Sequence, residues 1–544
     1  MNENLNIYAA FDQISTEMAE QTAVYYLGTR FTYQKLKKLS EKFACALHNM
    51  GISRGDKIII YIPNSIHWIV VWLGALRIGA ICVPVTPIYT PHDLKYIAND
   101  CEADAIVCAD TNYGYVLKVL PETSLKKVII TTLVDLLPWW KRYFGTLFNI
   151  IPKGKIALDE NTFSFKKLLA KDSTTQLPEM EIDGQAVAEI IYTGGTTKFP
   201  KGVPITHELF LVSSREQIKI SESLFPAEKN VILGNAPLFH ILGQTCSLGI
   251  LLVGGSLLVL PKVNLDAALQ GISQFKVKTM IGVPTLYRMI LEHERLDQYD
   301  LSSVEYWFCA GDVLPQEVGR RWLEKFGKTI YQGYGATETC GGVAMCPVGI
   351  DNPPKSVGQI LPSKKVRIID VVSLKPVEPG EPGELVVKSD PMVAAYLNKP
   401  RETEKSFLDL DGELWYRTGD ILSMDSDENF YFVDRTNDII KVKGYRVSAS
   451  EIEAVLQEHP AVIESCVIGV ADEKTGQRIK AYVVLKEDIK GITGYELLKW
   501  CRQTLVPYKI PQHIEFRDML PKSKVGKLLR REIRSEEERR SETM

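Results

Sequence analysis

The sequence predicts an α/β protein, and three observations carry that prediction. From about residue 25 to 345, short apolar runs alternate with amphipathic stretches. Near Asn352 the pattern changes to strands joined by Pro/Gly turns, and after Asp434 a fresh unit of helix and strand begins. At 544 residues the chain is too long for one hydrophobic core, so roughly two to four domains are expected.

The runs "KIIIYIP", "DAIVCAD", "KKVIITT", "AEIIYTG", "NVILGNAP", "GSLLVLPK", "VKTMIGVP" and "VEYWFCAG" read as buried strands. Continuous apolar runs suit parallel strands covered on both faces, and helical patterns such as "TYQKLKKLSEKFACALHNM" lie between them. Beyond Asn352, "VRIID", "GELVVKS" and "NFYFVD", with turns such as "PVEPGEPGE", form a smaller, mostly antiparallel β region. In the last unit "SASEIEAVLQEHP" is a helix capped by Ser448 or Ser450. "VIESCVIGVAD" and "KAYVVLK" follow as strands, and "REIRSEEERRSETM" reads as a charged, frayed tail. No internal repeat is visible, and the sequence carries no signal for an oligomeric state.

Composition narrows the function classes. A hydrophobic share of 45% with 24% charged residues suits a soluble globular enzyme. A net charge of −3 gives no basic field to attract nucleic acid, although a local basic patch stays open. Ten cysteines stand singly, with no C-x-x-C pair and no His cluster, so buried reduced thiols of a cytoplasmic protein are expected rather than a zinc site. "MNENLNIYAAF" lacks a basic segment followed by an apolar run, so no signal peptide is expected. Two stretches imitate membrane spans. Ile58 to Val85 is broken by Asn64, His67 and Arg77, with Pro63 and Pro84 near its ends; Leu242 to Leu260 is broken by Gly254 and Gly255. Both are expected to be core pieces, because a span needs about 20 uninterrupted apolar residues.

Chemistry is signalled first by "IIYTGGTTKFPKGVPITH", Ile190 to His207. Gly194 and Gly195 expose backbone N–H groups to an anion, Thr196 and Thr197 add hydroxyls, and Lys201 adds a point charge. Lys201 follows Pro200, so the G-x-x-x-x-G-K-[ST] spacing fails. For this loop alone, a plain Gly/Thr surface turn is the competing reading. "YQGYGATET" places Gly333 and Gly335 around Tyr334, then Thr337 and Glu338. An aromatic face beside glycines suits a purine; a hydroxyl and a carboxylate suit Mg²⁺. "YRTGD" ends on Asp420, "DRTNDIIKVKGYRVSASEIE" crosses into the last domain, and "PKSKVGKLLRRE" sets Lys527 on a glycine-bearing loop.

Together, in this order and along essentially the whole chain, these motifs resemble the adenylate-forming superfamily: acyl-CoA synthetases, luciferases and peptide-synthetase adenylation domains. The loop departs twice from the commonest "S-G-T-T-G-x-P-K-G" pattern, with Gly194 in place of Ser and Lys198 in place of Gly. The resemblance implies two α/β sheets plus a small β-barrel-like region in an adenylation domain, residues 1–434. It implies a small mobile α+β domain, residues 435–544, turning on a hinge near Asn437. It also implies the chemistry: a carboxylate attacks the α-phosphate of ATP, pyrophosphate leaves, and CoA then displaces AMP.

By the same resemblance Thr193, Gly194, Gly195, Thr196, Thr197 and Lys201 hold the departing phosphates. Glu338, with Thr197, ligates Mg²⁺, and Glu338 and Thr337 count with Lys527 as the catalytic residues. Tyr334 stacks on adenine in a pocket completed by Gly311, Asp312, Gly333, Gly335 and Phe432, while Asp420 and Arg435 hold the ribose. Lys527 reaches the carboxylate and the α-phosphate, and preorganised charge of this kind contributes about 10²–10³ in rate. Rotation withdraws Lys527 and brings Lys441, Lys443 and Gly444 to serve CoA. His240 and Val283 line the acyl channel, with a satisfied core histidine as the other reading of His240.

"FHILGQTCSLGILL" and "MIGVPTLYRMI" are apolar with small residues, which suits a hydrocarbon tail with room for length. "LVDLLPWWKRYFGTLFNIIPKGK", Leu133 to Lys155, resembles an aromatic and basic segment of long-chain ligases. Trp139, Trp140, Tyr143, Phe144 and Phe148 interleave with Lys141 and Arg142, an interfacial composition; a helix packed on its own domain is the alternative. The expectation is a medium- or long-chain fatty acid–CoA ligase, cytoplasmic, with weak peripheral contact to the inner membrane face. Three alternatives stay open: a ligase for an aromatic or alicyclic acid, an acyl-AMP ligase loading a carrier protein, and a nucleotide-binding scaffold without turnover.

Overall fold

The structure is a computed structural model. It describes residues 6–141, 143, 154, 156, 160–171, 177, 180–193, 199–262, 264–436, 438–442, 445–472, 476–486, 491–522 and 528–542. Three sheets organise it. The first has seven strands in the order Thr162–Ser164, Lys127–Thr131, Ala105–Ala109, Lys57–Tyr61, Ile81–Pro84, Val187–Thr193 and Lys201–Thr206. Its first six strands are parallel and the last is antiparallel, so Val187–Thr193 and Lys201–Thr206 form a hairpin around the Gly/Thr loop. All five residues of Ala105–Ala109 are buried, as a strand with both faces covered requires.

The stretch Ile58 to Val85 resolves into two of these strands and the helix Ile66–Arg77. Ser65 caps that helix, its side chain accepting from Trp68 N at 3.2 Å. Every residue from Ile66 to Leu76 is buried, so the helix is apolar all round because it lies inside the core. Its partner is Tyr33–Asn49, capped by Thr32. The two pack so closely at Gly74 that a Cβ there would lie 2.9 Å from Ser40 O. Leu242 to Leu260 likewise divides, into the short helix Ile241–Thr245, a 3₁₀ stretch Leu248–Leu252 and the strand Ser256–Val259. Among the described residues no helix is long and apolar enough to cross a membrane.

In the second sheet, Thr22–Tyr26, Ser256–Val259, Val231–Gly234, Thr279–Gly282, Tyr306–Cys309 and Ile330–Ala336 run parallel. From Ile330–Ala336 the same sheet continues antiparallel through Gly341–Met345, Ser356–Ile360, Phe430–Arg435, Glu413–Met424, Gly383–Ser389 and Lys364–Ile369. The β region expected beyond Asn352 is therefore antiparallel, and it is hydrogen-bonded to the parallel sheet rather than standing apart. Ile330–Ala336 belongs to both halves: Ile330 to Gln332 pair parallel with Tyr306–Cys309, Gly333 to Ala336 pair antiparallel with Gly341–Met345, and a register shift lies within the antiparallel part between Tyr334 and Gly335.

Five strands make the third sheet: Ile440–Val442, Tyr445–Val447, Val462–Asp472, Gly476–Leu485 and His513–Phe516. The helix Ala449–Gln457 covers it, capped by Ser448, whose side chain accepts from Glu451 N. The expected frayed tail is instead the helix Arg530–Glu542. Ile533 is fully buried against the sheet, and Arg530 and Arg534 pair with Asp438 at 2.8 and 2.7 Å. All ten cysteines are free thiols; nine are buried and Cys45 is half-buried.

One residue conflicts with its surroundings. Glu189 sits among Ala188, Ile190 and Ile191 and is 0% exposed. Burial pushes its carboxyl from 4.5 up to about 7. The folded state therefore holds a proton between pH 4.5 and 7 that the unfolded chain has released, so stability falls as pH rises through that window. Glu189→Gln removes this contribution. The melting temperature of the variant minus that of the native chain should grow from pH 5 to pH 7.5 by several degrees. A difference independent of pH would mean that Glu189 is ionised in the folded protein throughout.

Candidate active site

The loop hairpin ends on Thr193 and Lys201, which face each other across it. Gly194, Gly195, Thr196, Thr197 and Lys198, at its tip, lie outside the described residues. What holds its base is visible. Tyr192 donates to Asp100 Oδ2 at 2.8 Å, and Lys399 Nζ pairs with Asp100 Oδ1 at 2.6 Å. Leu397 N donates to Gly202 O at 2.8 Å, and a Cβ on Gly202 would lie 3.2 Å from Leu397 Cβ. Phe199 stacks on Tyr96, ring centroids 4.6 Å apart, and Tyr96 donates to Pro200 O. The segment around residues 396–399 is thereby pinned onto the hairpin.

That pinning delivers Tyr396 to the centre of the site. Its hydroxyl donates to Glu338 Oε1 at 2.7 Å, while Lys201 Nζ stands 3.8 Å from its ring centroid. Burial and the Glu338 carboxylate push the Tyr396 phenol upward, so it stays a donor. Burial lowers the Lys201 ammonium, while Glu338 and Glu402 raise it. The aromatic face and the carboxylate thus hold the lysine together. Glu338 follows the strand Ile330–Ala336 in a tight turn closed by Thr339, whose Oγ1 meets Ala336 N and Gly341 O. Thr337 and Glu338 are both buried at this turn. Tyr396 lies 58 residues from Glu338 and was not singled out in the sequence. The one available signal was a lone aromatic before the turn "LNKP".

A second cluster brings Tyr334, Asp420, Phe432 and Arg435 together. Tyr334 donates to Asp420 Oδ2 at 2.7 Å, and Arg435 Nε stands 3.4 Å from Asp420 Oδ1. Burial and the adjacent Asp420 push the Tyr334 phenol well up. The Tyr334 and Phe432 rings lie 6.4 Å apart. The glycines beside Tyr334 have a packing reason as well: a Cβ on Gly333 would lie 2.6 Å from Phe308 Cζ, and one on Gly335 only 2.2 Å from Gly341 O. Gly311, with φ +88°, exposes the backbone next to Asp312 and stands 3.7 Å, measured from its would-be Cβ, from Val283 Cγ1. Val283 is exposed at the start of the helix Pro284–Leu291.

His240 is half-buried and caps Ile241–Thr245, its Nδ1 accepting from Leu242 N at 3.3 Å. Beyond it, the small residues do not leave open room. A Cβ on Gly243 would lie 2.1 Å from Pro237 O and one on Gly249 2.8 Å from Ser214 Cβ, so these glycines serve close packing.

Asn437, Lys443, Gly444 and Lys527 lie outside the described residues. Their flanks are firmly tied. Buried Asp434 accepts from Ser448 Oγ at 2.9 Å and Ser450 N at 3.2 Å, and Asp438 takes Arg530 and Arg534. Lys441 is exposed, and its N–H donates to Gln477 Oε1 within the third sheet. Arg288 Nη1 donates to Ile463 O at 2.6 Å, joining the helix after Val283 to that sheet. Among the described residues no cluster of three metal-ligating side chains occurs. Glu338, a buried carboxylate close to Lys201, has the chemistry to ligate a Mg²⁺ that arrives on a nucleotide.

Tyr396→Phe keeps the ring under Lys201 and removes the hydrogen bond to Glu338. The Mg²⁺ concentration that half-saturates nucleotide binding, read by calorimetry, should rise roughly tenfold, the value of a hydrogen bond to a charged group. The melting temperature should move little. An unchanged magnesium titration would remove Tyr396 from the site.

Comparison with known proteins agrees with this geometry. The model of the AMP-binding enzyme family matches residues 11–397, and that of the AMP-binding enzyme C-terminal domain matches residues 451–527. A long-chain-fatty-acid–CoA ligase of Escherichia coli O157:H7 is 34% identical over 97% of this chain and 93% of its own length. One of Bacillus subtilis (strain 168) is 32% identical over 98% and 95%. 4-Coumarate–CoA ligase 2 of Petroselinum crispum is 30% identical over 93% and 89%. In fold, the anthranilate CoA ligase AuaEII, solved with anthranoyl-AMP, superposes with a TM-score of 0.88 at 24% identity over 99% of both chains. The resemblance read from five ordered motifs thus extends through both parts of the chain, which belongs to the AMP-binding enzymes.

Proposed function

We propose that this enzyme joins a medium- or long-chain fatty acid to CoA in two steps, acid and ATP giving acyl-AMP and pyrophosphate, then acyl-AMP and CoA giving acyl-CoA and AMP. The observation that carries the reading is the convergence of Lys201, Tyr396 and Glu338 at the base of the Gly/Thr loop, in a chain with full-length relatives named for fatty-acid activation. Lys201, with Thr193, Gly194, Gly195, Thr196 and Thr197, would bind the β- and γ-phosphates. Glu338 and Thr197 would hold Mg²⁺, which neutralises charge on the phosphates as pyrophosphate departs. Asp420 already meets Arg435 and Tyr334, and would exchange part of that bonding for the ribose hydroxyls. Tyr334, Phe432, Gly311 and Asp312 would enclose adenine.

Residues 1–434 would form the adenylation domain and 435–544 the mobile one. Asp438 is clamped to Arg530 and Arg534 of the last domain and would turn with it, whereas Asp434 is bonded across the boundary to Ser448 and Ser450, bonds that rotation at Asn437 would have to release. Lys527 would serve adenylation, and Lys441, Lys443 and Gly444 thioester formation. A second reading, an aromatic acid as substrate, has the 4-coumarate–CoA ligase relative in its favour.

The segment 133–155 supports weak membrane contact. Trp139 is 72% exposed, Trp140 47% and Tyr143 58%, and Lys141 Nζ is tethered to Leu27 O at 2.7 Å, which presents both tryptophans outward. Phe144, Phe148, Arg142, Lys153 and Lys155 lie outside the described residues.

Pyrophosphate release with a panel of acids, with and without CoA, tests the reading. Activity should climb with hydrocarbon length; preference for benzoate or a cinnamate would install the second reading, and release that needs a carrier protein would replace CoA. Lys527→Ala should lose adenylation by about 10²-fold or more yet still convert supplied acyl-AMP and CoA. Equal loss of both steps would refute its role. Trp139→Ser with Trp140→Ser should keep the native melting temperature and sediment less with anionic vesicles. Unchanged sedimentation would end the membrane proposal.

A further inference from the structure

A charged side chain is buried directly behind the turn that carries Glu338. Lys364, the first residue of the strand Lys364–Ile369, is 5% exposed. Its Nζ donates to Thr339 O at 3.1 Å and to Ser213 Oγ at 3.4 Å. Burial lowers this ammonium below its ordinary value, while Cys340 and Glu216 offset part of that. Glu216 is brought near by Ser363, whose N–H and hydroxyl donate to its carboxylate at 2.8 and 2.6 Å. An unbranched apolar side chain would fill the same space without the desolvation a buried ammonium suffers, so packing alone does not call for a lysine here.

The turn held by this ammonium is strained. Cys340, which follows Thr339, has φ +54°, a left-handed conformation that non-glycine residues adopt sparsely. Its N–H donates to Thr337 O at 3.0 Å and closes the turn over Glu338. Thr339 O belongs to the peptide plane whose orientation sets the Cys340 φ, so the bond from Lys364 acts on the strained torsion itself. The helix His207–Lys219 backs the turn. A Cβ on Gly341 would lie 3.0 Å from Gln217 Nε2, and one on Gly342 3.2 Å from Gln217 Cγ. Gln217 Nε2 in turn donates to Ser213 O at 2.8 Å. On the opposite side Tyr396 meets the Glu338 carboxylate.

We propose that Lys364 is a positioning residue for adenylation: its bond to Thr339 O holds the peptide plane that keeps Cys340 left-handed, and so aims Glu338 at the metal-bearing phosphates of ATP. The inference rests on the reading of Glu338 above. Without that bond the plane can turn, Cys340 returns to the common right-handed region, and Glu338, two residues earlier, swings off Tyr396. The thioester step starts from acyl-AMP, from which the β- and γ-phosphates have gone, so it does not depend on where Glu338 points.

Lys364→Met keeps an unbranched side chain and removes the charge and the donor. Two assays on the full chain separate the steps: pyrophosphate release from ATP and hexadecanoic acid as Mg²⁺ is titrated, and acyl-CoA formation from supplied hexadecanoyl-AMP and CoA. The Mg²⁺ concentration for half-maximal release should rise roughly tenfold, the worth of one hydrogen bond from a charged group, while thioester formation is unchanged. Combined with Tyr396→Phe, the loss should be smaller than the product of the two single losses, because both act through Glu338. If Lys364→Met fails to fold, Lys364→Gln, which leaves a shorter neutral donor, is put to the same assays and decides by the same criterion. Equal loss in both half-reactions, an unchanged Mg²⁺ dependence, or losses that simply multiply would overturn the inference. If the native chain releases no pyrophosphate with any acid, the adenylation reading fails instead, and Mg²⁺-dependent ATP binding by calorimetry still decides on Lys364.

Discussion

The first sheet carries the Gly/Thr hairpin and the second carries Glu338, and Tyr396 is where they meet. Leu397 is bonded directly to the hairpin and Lys399 reaches it through Asp100, which accepts from Tyr192, while the Tyr396 ring packs on Phe407 at 5.7 Å, on the second sheet's side. Because one side chain answers to both sheets, the distance between Lys201 and Glu338 is fixed by covalent and hydrogen-bond geometry rather than by two charges finding each other. Two opposite charges in contact would neutralise each other and resist separation. A phenol between them keeps both oriented and leaves the ammonium only weakly held, ready for a stronger anion.

How much of this could be read in the sequence depends on the range of each interaction. Local signals were legible. Ser448, one of the two caps expected for its helix, bonds to a backbone N–H three residues on, and the apolar runs became buried strands at the stretches named. Tyr334, Asp420 and Arg435 were singled out from separate motifs and do lie together. Tyr396 was not legible, because its importance comes from partners in two other segments. Nor was the final helix: its sequence is almost wholly charged, and it docks through one buried isoleucine and through carboxylates 77 and 92 residues earlier. The glycines of the acyl segment were misread for a related reason. A small residue signals either space or close approach, and only the neighbours in three dimensions distinguish them.

Glu189 shows the same limit from inside the core. One acidic letter in an apolar strand resembles a surface position, yet it is the most deeply placed carboxyl of its sheet. Its cost to the fold, the tryptophan that partly satisfies it and the amide that faces it are consistent with a group retained for what it contacts rather than for stability.

The clamp of Arg530 on Asp438 and Glu453 has a consequence for the growing chain. Both carboxylates are buried, and their cation is made 92 and 77 residues later. A ribosome that stalls before Arg530 leaves two interior acids without a counter-ion, and a buried pair broken in this way costs about 3–5 kcal/mol. The third sheet would then stay loose and open to proteases. An interrupted polypeptide would thus be marked for removal by its own unpaired charges.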